Sequence, residues 1–284
     1  MRRGSGRRST VRLSELGELG LLAELERAGL VQGIEHDAAQ IGDGLVVTQD
    51  SLVEGVHFRL DWMPCCELGF RAAAVNISDL AASGACPRAL LVSLGAPAEM
   101  DADDVVELYR GIAEAGVAVV GGDTTAADRV FVTITALGRA NRVPGRAGAR
   151  PGDALVLTGP LGAAGAAFRR AAFTRPPLRV EEGLRLAETA HAMIDVSDGL
   201  ARDAGHIAAR SGCRLVIDVE RVPLAPGATV EDLSFGEDFE LLAATPDPQG
   251  FTVIGRCETG RGIELRLDGK PIELGGWEHF SKST

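Results

Sequence analysis

The sequence predicts a two-domain α/β (α+β) chain. Apolar runs of strand length alternate with helix-length stretches, and a Pro/Gly-rich break falls near the middle. The chain has 284 residues, 45% of them hydrophobic, enough to bury the cores of two units.

Taken in order, residues 13 to 30 carry apolar side chains at helical spacing and predict an amphipathic opening helix. A strand is expected at 44 to 48, followed by a helix from Gly69 to Ser83 with small residues on its packed face. A strand at 89 to 95, a helix at 101 to 115 and strands at 116 to 120 and 130 to 138 complete a first domain, 13–140. The stretch Val143-Pro-Gly-Arg-Ala-Gly-Ala-Arg-Pro-Gly-Asp153 separates it from a second domain, 141–284. Strands are expected there at 154 to 158, 192 to 196, 214 to 219, 239 to 244, 251 to 256 and 263 to 267, with a helix from 199 to about 210. Residues 1–12 read as a disordered basic tail without the apolar core of a secretory signal.

A net charge of -11 argues against a nucleic-acid partner, because such binding needs a Lys/Arg footprint on the phosphates. An acidic protein can still hold phosphate compounds if metal ions bridge the charge. No apolar run reaches the roughly 18 residues of a membrane span, so a cytoplasmic protein with no membrane partner is expected. Cys65, Cys66, Cys86, Cys213 and Cys257 are odd in number and lack C-x-x-C spacing, which points to free thiols rather than a disulfide or zinc framework.

The chemistry concentrates in aspartates placed where strand-like runs stop: Asp50 after Leu45-Val-Val-Thr-Gln, Asp123 after Ala118-Val-Val-Gly-Gly, and Asp195 and Asp198 in Ala192-Met-Ile-Asp-Val-Ser-Asp198. Asp37 and Asp79 bring the set to six acids from five segments. Singly, each is ordinary turn or cap chemistry. Together they are hard oxygen donors of the kind Mg²⁺ takes alongside substrate phosphates. No G-x-x-x-x-G-K-[ST] loop is possible, since the only lysines are Lys270 and Lys282; the protein-kinase set, a dinucleotide fingerprint and a G-x-S-x-G elbow are also missing. Metal-assisted phosphate chemistry remains.

Six segments then carry a resemblance: Gln49-Asp-Ser-Leu-Val-Glu-Gly-Val-His-Phe58, Ala74-Val-Asn-Ile-Ser-Asp-Leu-Ala-Ala-Ser-Gly-Ala85, Gly121-Gly-Asp-Thr-Thr125, Arg146-Ala-Gly-Ala-Arg-Pro-Gly-Asp153, Ile194-Asp-Val-Ser-Asp-Gly-Leu200 and Ser234-Phe-Gly-Glu-Asp-Phe-Glu-Leu241. In order and spacing they resemble the thiamine-monophosphate kinases, within the aminoimidazole ribonucleotide synthetase-like group of ATP-binding proteins. The resemblance covers about residue 16 to 280. It implies an N-terminal sheet domain that pairs with its twin in a homodimer, a C-terminal α/β domain, and ATP held in the groove. The implied activity is ATP-dependent phosphorylation of thiamine monophosphate to thiamine diphosphate, with several Mg²⁺ ions.

By that resemblance Asp37, Thr48, Gln49, Asp50, Asp79, Asp123, Asp195 and Asp198 hold metal. Gly122, Asp123, Arg146 and Ser197 meet ATP; His57, Glu237 and Trp277 meet the thiamine phosphate. Asp50, Asp123, Asp198 and Arg146 carry the catalytic roles. The chain departs from the family pattern in three places. Glu35-His36 replaces the Gly-Asp before Asp37, Gln49 stands where Thr is usual, and Phe235 replaces a Gly. It also looks shorter than its relatives around 168 to 181 and 212 to 233. The residues leave open a sister ATP-dependent synthetase and a nucleotide-binding protein with impaired turnover.

Overall fold

The structure, a computed structural model, describes residues 11–32 and 36–277. Residues 1–10 of the basic tail and Glu35 lie outside that range. The opening helix α1 (Leu13–Arg27) bends at Gly17 and stops short of the expected residue 30. Gly29 follows in the left-handed conformation, the usual way a helix turns out of its last turn.

The first sheet contains β1 (Ala39–Gln40), β2 (Leu45–Val53), β3 (Cys86–Ala96), β4 (Val119–Ala126) and β5 (Phe131–Arg139), in the order β1-β2-β5-β3-β4. Only β3 and β4 run parallel. Helices α2 (Cys65–Ala82) and α3 (Ala102–Glu114) accompany it, and α2 lies against the inner face of β2 and β5. The small residues of α2 have a purpose here. A Cβ on Gly69 would stand 1.8 Å from the Leu108 carbonyl oxygen, and one on Gly111 would stand 1.8 Å from that of Cys66, so the two helices meet backbone to backbone.

Two strands run further than the sequence reading placed them. Because β5 offers β2 an unbroken nine-residue antiparallel ladder, Asp50 lies inside β2 rather than at its end. Asp123 likewise lies inside β4, which continues to Ala126 against β3. Of the three runs, the one ending at Asp195 does stop at its acid.

The second sheet contains β6 (Ala154–Leu157), β7 (Ala192–Asp195), β8 (Arg214–Asp218), β9 (Leu241–Thr245), β10 (Thr252–Glu258), β11 (Gly262–Leu267) and β12 (Lys270–Ile272). Their order is β12-β11-β8-β10-β6-β9-β7, antiparallel except for β8 beside β11. Helix α6 (Leu200–Ser211) covers this sheet with an apolar core. Helices α4 (Ala163–Phe168) and α5 (Val180–Thr189) were not expected. α5 joins the two halves: a Cβ on its Gly183 would stand 2.3 Å from the Ala81 carbonyl oxygen of α2. The five cysteines are unpaired. Among the described residues no helix is long and apolar enough to cross a membrane.

Candidate active site

The two halves meet over an acidic cluster. Asp37 precedes β1, Asp79 sits in the last turns of α2 and Asp195 ends β7, yet one carboxylate oxygen of each lies within 4.8 Å of the others. Each acid has its own neighbour. Thr48 Oγ1 donates to Asp79 Oδ2 at 2.5 Å, Ser78 Oγ donates to Asp195 Oδ2 at 2.6 Å, and Arg146 Nε donates to Asp37 Oδ1 at 3.0 Å. Strand alternation places Thr48 and Asp50 on the face of β2 that looks at α2. There the Asp50 amide donates to Asn76 Oδ1 at 3.0 Å, and Asn76 Nδ2 donates to the Ala72 carbonyl at 2.9 Å.

This arrangement is costly without a cation. Burial raises the Asp79 carboxyl well above its usual range, and the charges of Asp50, Asp195 and Asp37 push it further. Burial, helped by Asp37, pushes Asp195 up to about 7. Asp37 is raised by burial as well, with Arg146 pulling the other way. Clustered carboxylates whose ionised forms are disfavoured, with one guanidinium beside them, fit a hard divalent cation such as Mg²⁺.

A second knot follows β7. The carboxylate of Asp203 accepts the backbone N–H groups of Ser197, Asp198 and Gly199 at 3.0, 3.0 and 3.1 Å, tying the loop to the first turn of α6. Asp198 pairs with Arg202 Nε at 3.2 Å, and the Trp277 amide donates to the Asp198 carbonyl at 2.9 Å. Asp198, Asp203 and His206 also offer ligand atoms within 4.8 Å of one another. Asp203 is already committed to the loop, whereas burial and then Arg146, Arg202 and Arg210 push His206 down to about 4, leaving it neutral at pH 7.

The Glu237 amide donates to the Ser197 carbonyl at 2.8 Å, so this loop lies directly on the knot. A Cβ at Gly236 would stand 2.2 Å from that same carbonyl oxygen, which explains the glycine. Glu237 adopts a left-handed φ of 59°. Ser197, Asp198, Glu237 and Trp277 are therefore gathered along one segment. His57 Nδ1 accepts the Val53 amide at 3.0 Å, which leaves the ring's proton on Nε2 when the imidazole is neutral.

Gln49, Asp123 and Gly122, expected to hold metal or ATP, are brought neither to the cluster nor to the second knot. Gln49 points to the opposite face of β2 from Thr48 and Asp50, where its amide oxygen accepts from Thr135 Oγ1 at 2.8 Å. Asp123 stands in the cross-strand row Ser51, Thr133, Ser93, Asp123, on that same outer face. Gly122 belongs to the row that contains Asp50, but β5 and β3 intervene, and three strand spacings amount to about 14 Å.

Sequence reasoning passed over Arg71, Asn76, Ser78 and Asp203. Arg71, Ser78 and Asp79 stand at i, i+7 and i+8 on α2, one face of a helix, and that spacing was the available signal. Asp203 had no such signal, since its role lies in backbone N–H groups that only the folded loop aligns.

Two α/β units closing over clustered carboxylates define a class, the AIR synthase related proteins: their N-terminal domain matches residues 35–140 and their C-terminal domain residues 150–259. The chain is 33% identical to the thiamine-monophosphate kinase of Aquifex aeolicus, covering 95% of this chain and all of that one. It is 35% identical to that of Mycobacterium tuberculosis, covering 95% and 93%. Among solved structures, AaThiL complexed with AMPPCP and TMP superposes with a TM-score of 0.88 at 32% identity, over 96% of this chain and 100% of that one. The chain belongs to the thiamine-monophosphate kinase family.

Proposed function

We propose that this protein transfers a phosphoryl group from ATP to thiamine monophosphate, forming thiamine diphosphate. The carrying observation is the buried cluster of Asp37, Asp79 and Asp195, beside Asp50 and closed by Arg146, in a chain that superposes on a relative bound to AMPPCP and TMP. Asp37, Thr48, Asp50, Asp79 and Asp195 would hold Mg²⁺, with Asp198 as a further ligand. The ions supply charge neutralisation between two mutually repelling phosphates.

The chain's own residues supply position. The acceptor is a phosphate whose second pKa is about 6, so it attacks as an anion and needs no strong general base. Arg146, steadied by Asp37, presents its guanidinium to ATP phosphates. Ser197, in the loop between β7 and α6 with its amide held by Asp203, meets the nucleotide. His57 offers Nε2–H to the acceptor, Glu237 offers a carboxylate, and Trp277, half exposed, offers a ring face to the cationic heteroaromatic part.

Gln49, Gly122 and Asp123 fit this reading only with a second copy, in a cytoplasmic homodimer whose chains divide near residues 140 and 141. All eight residues of the edge strand β4 are exposed, including Val119 and Val120. An uncovered edge of this length is a site for pairing. A two-fold partner that lays its own β4 along β2 beyond Val46 and Val47, the two residues that β1 pairs, would bring its Asp123 to the β2 of the first chain, and the exposed β4 of the first chain to the partner's β2.

Purified protein incubated with ATP, Mg²⁺ and thiamine monophosphate is expected to form thiamine diphosphate. EDTA should abolish product, and thiamine itself should not serve as acceptor. ATP binding without product from the monophosphate would move the chain to a binding role or to another acceptor.

A further inference from the structure

Arg71 projects from α2 with its side chain only 5% exposed, and crosses between the two halves to Glu237, Nη2 to Oε1 at 2.5 Å. Its guanidinium also lies 5.9 Å from the centre of the buried Phe239 ring. Its Nε is buried without a hydrogen-bond partner. A buried guanidinium is expensive unless paired, so this one is held in place by Glu237 and, in turn, holds it. The loop it grips is itself strained: Glu237 and Phe239 take left-handed φ values of 59° and 52°, which side-chain-bearing residues adopt at a cost.

The same loop reaches the catalytic segment through backbone bonds. Glu237 N donates to Ser197 O at 2.8 Å and Phe239 N to Val196 O at 2.9 Å. One face of α2 thus makes two of the links between the halves: Arg71 to Glu237 and, two turns later, Ser78 to Asp195. Without Arg71 the Glu237 carboxylate, 36% exposed, would be free to swing towards water.

We infer that Arg71 is a positioning residue for the acceptor: it fixes the Glu237 carboxylate in the orientation that receives the cationic, heteroaromatic end of the substrate. This rests on the kinase reading above. ATP recognition is assigned to Arg146 and to Ser197, which Asp37 and Asp203 hold directly.

Arg71→Met and Arg71→Lys test the assignment through steady-state kinetics and calorimetric titration with thiamine monophosphate. Arg71→Met should raise KM for thiamine monophosphate about tenfold, the equivalent of one charge-assisted hydrogen bond, with kcat and KM for ATP within about twofold of wild type. Arg71→Lys keeps the charge and should recover most of the loss; it also serves if the Met variant does not fold. An unchanged acceptor KM, or an equal rise in both KM values, would overturn the assignment. If wild type and Arg71→Met bind thiamine monophosphate equally well, this inference falls and the kinase reading stands. If wild type neither binds nor converts it, the kinase reading falls and takes this inference with it.

Discussion

At the acidic cluster, Asp37, Asp79 and Asp195 come from three segments in both halves of the chain, and each carboxylate already has a hydroxyl or guanidinium against it. Along β4, by contrast, Gly121, Gly122 and Asp123 lie on an edge strand exposed over its whole length. Folding alone brings the three carboxylates of the cluster together. The edge is unfinished by folding, because Asp123 stands on the outer face and both it and Gly122 lie about 14 Å from β2 across two intervening strands. On the reading proposed above, the difference means that one polypeptide completes the metal-binding half of a phosphoryl-transfer site and leaves another part of it to a second copy.

The largest expected effect falls on the cluster. Asp79→Asn or Asp195→Asn removes an anion from the cluster, and turnover should drop by roughly a thousandfold or more, judged against the losses seen when a single charge-stabilising group is removed. Measurement of kcat at saturating Mg²⁺ checks this; a variant retaining a tenth of wild-type rate would break the distinction. On the edge, a Cβ at Gly122 would stand 1.8 Å from the Val92 carbonyl oxygen, at a φ of 147°. Gly122→Ala should therefore loosen β4, lower stability by about 1 to 3 kcal/mol and weaken dimerisation. Thermal denaturation together with light scattering reads both, and an unchanged melting temperature would show that the edge is not constrained as described.

A smaller effect separates the regions by pH. Asp195 is pushed up to about 7 in the folded chain, while an unfolded aspartate titrates near pH 4. Between those values the folded state binds more protons than the unfolded one, so the metal-free protein should lose stability as pH rises from about 4 through 7. Mg²⁺ should offset the loss, raising the melting temperature more at pH 8 than at pH 5. An equal increment at both would mean that the ions bind elsewhere.

Much of this was legible in the residues. The alternation of strands and helices and the end of one strand at Asp195 followed from periodicity and turn chemistry. The ends of β2 and β4 did not, because a strand's length is set by its partner; β5 and β3 carry those strands past Asp50 and Asp123. The sides of the sheet were also hidden. Gln49 and Asp50 are adjacent in sequence yet face opposite ways, and which face meets α2 depends on packing. Helices α4 and α5 were missed because Gly and Ala dominate the first and a close approach to α2 at Gly183 shapes the second. Arg71 went unnoticed for a similar reason, since its partner Glu237 lies 166 positions away in a loop whose path only the folded chain shows.

The most direct test mixes two variants, Asp50→Asn and Asp123→Asn, each inactive as a homodimer. If β2 of one chain works with β4 of its partner, a mixed dimer contains one doubly damaged site and one intact site. After equal mixing and subunit exchange, about half the dimers are mixed, and thiamine diphosphate formation should return to about a quarter of the wild-type rate. If both acids serve the same chain's site, every site carries a lesion, and a mixture that exchanges subunits but stays inactive would contradict the account.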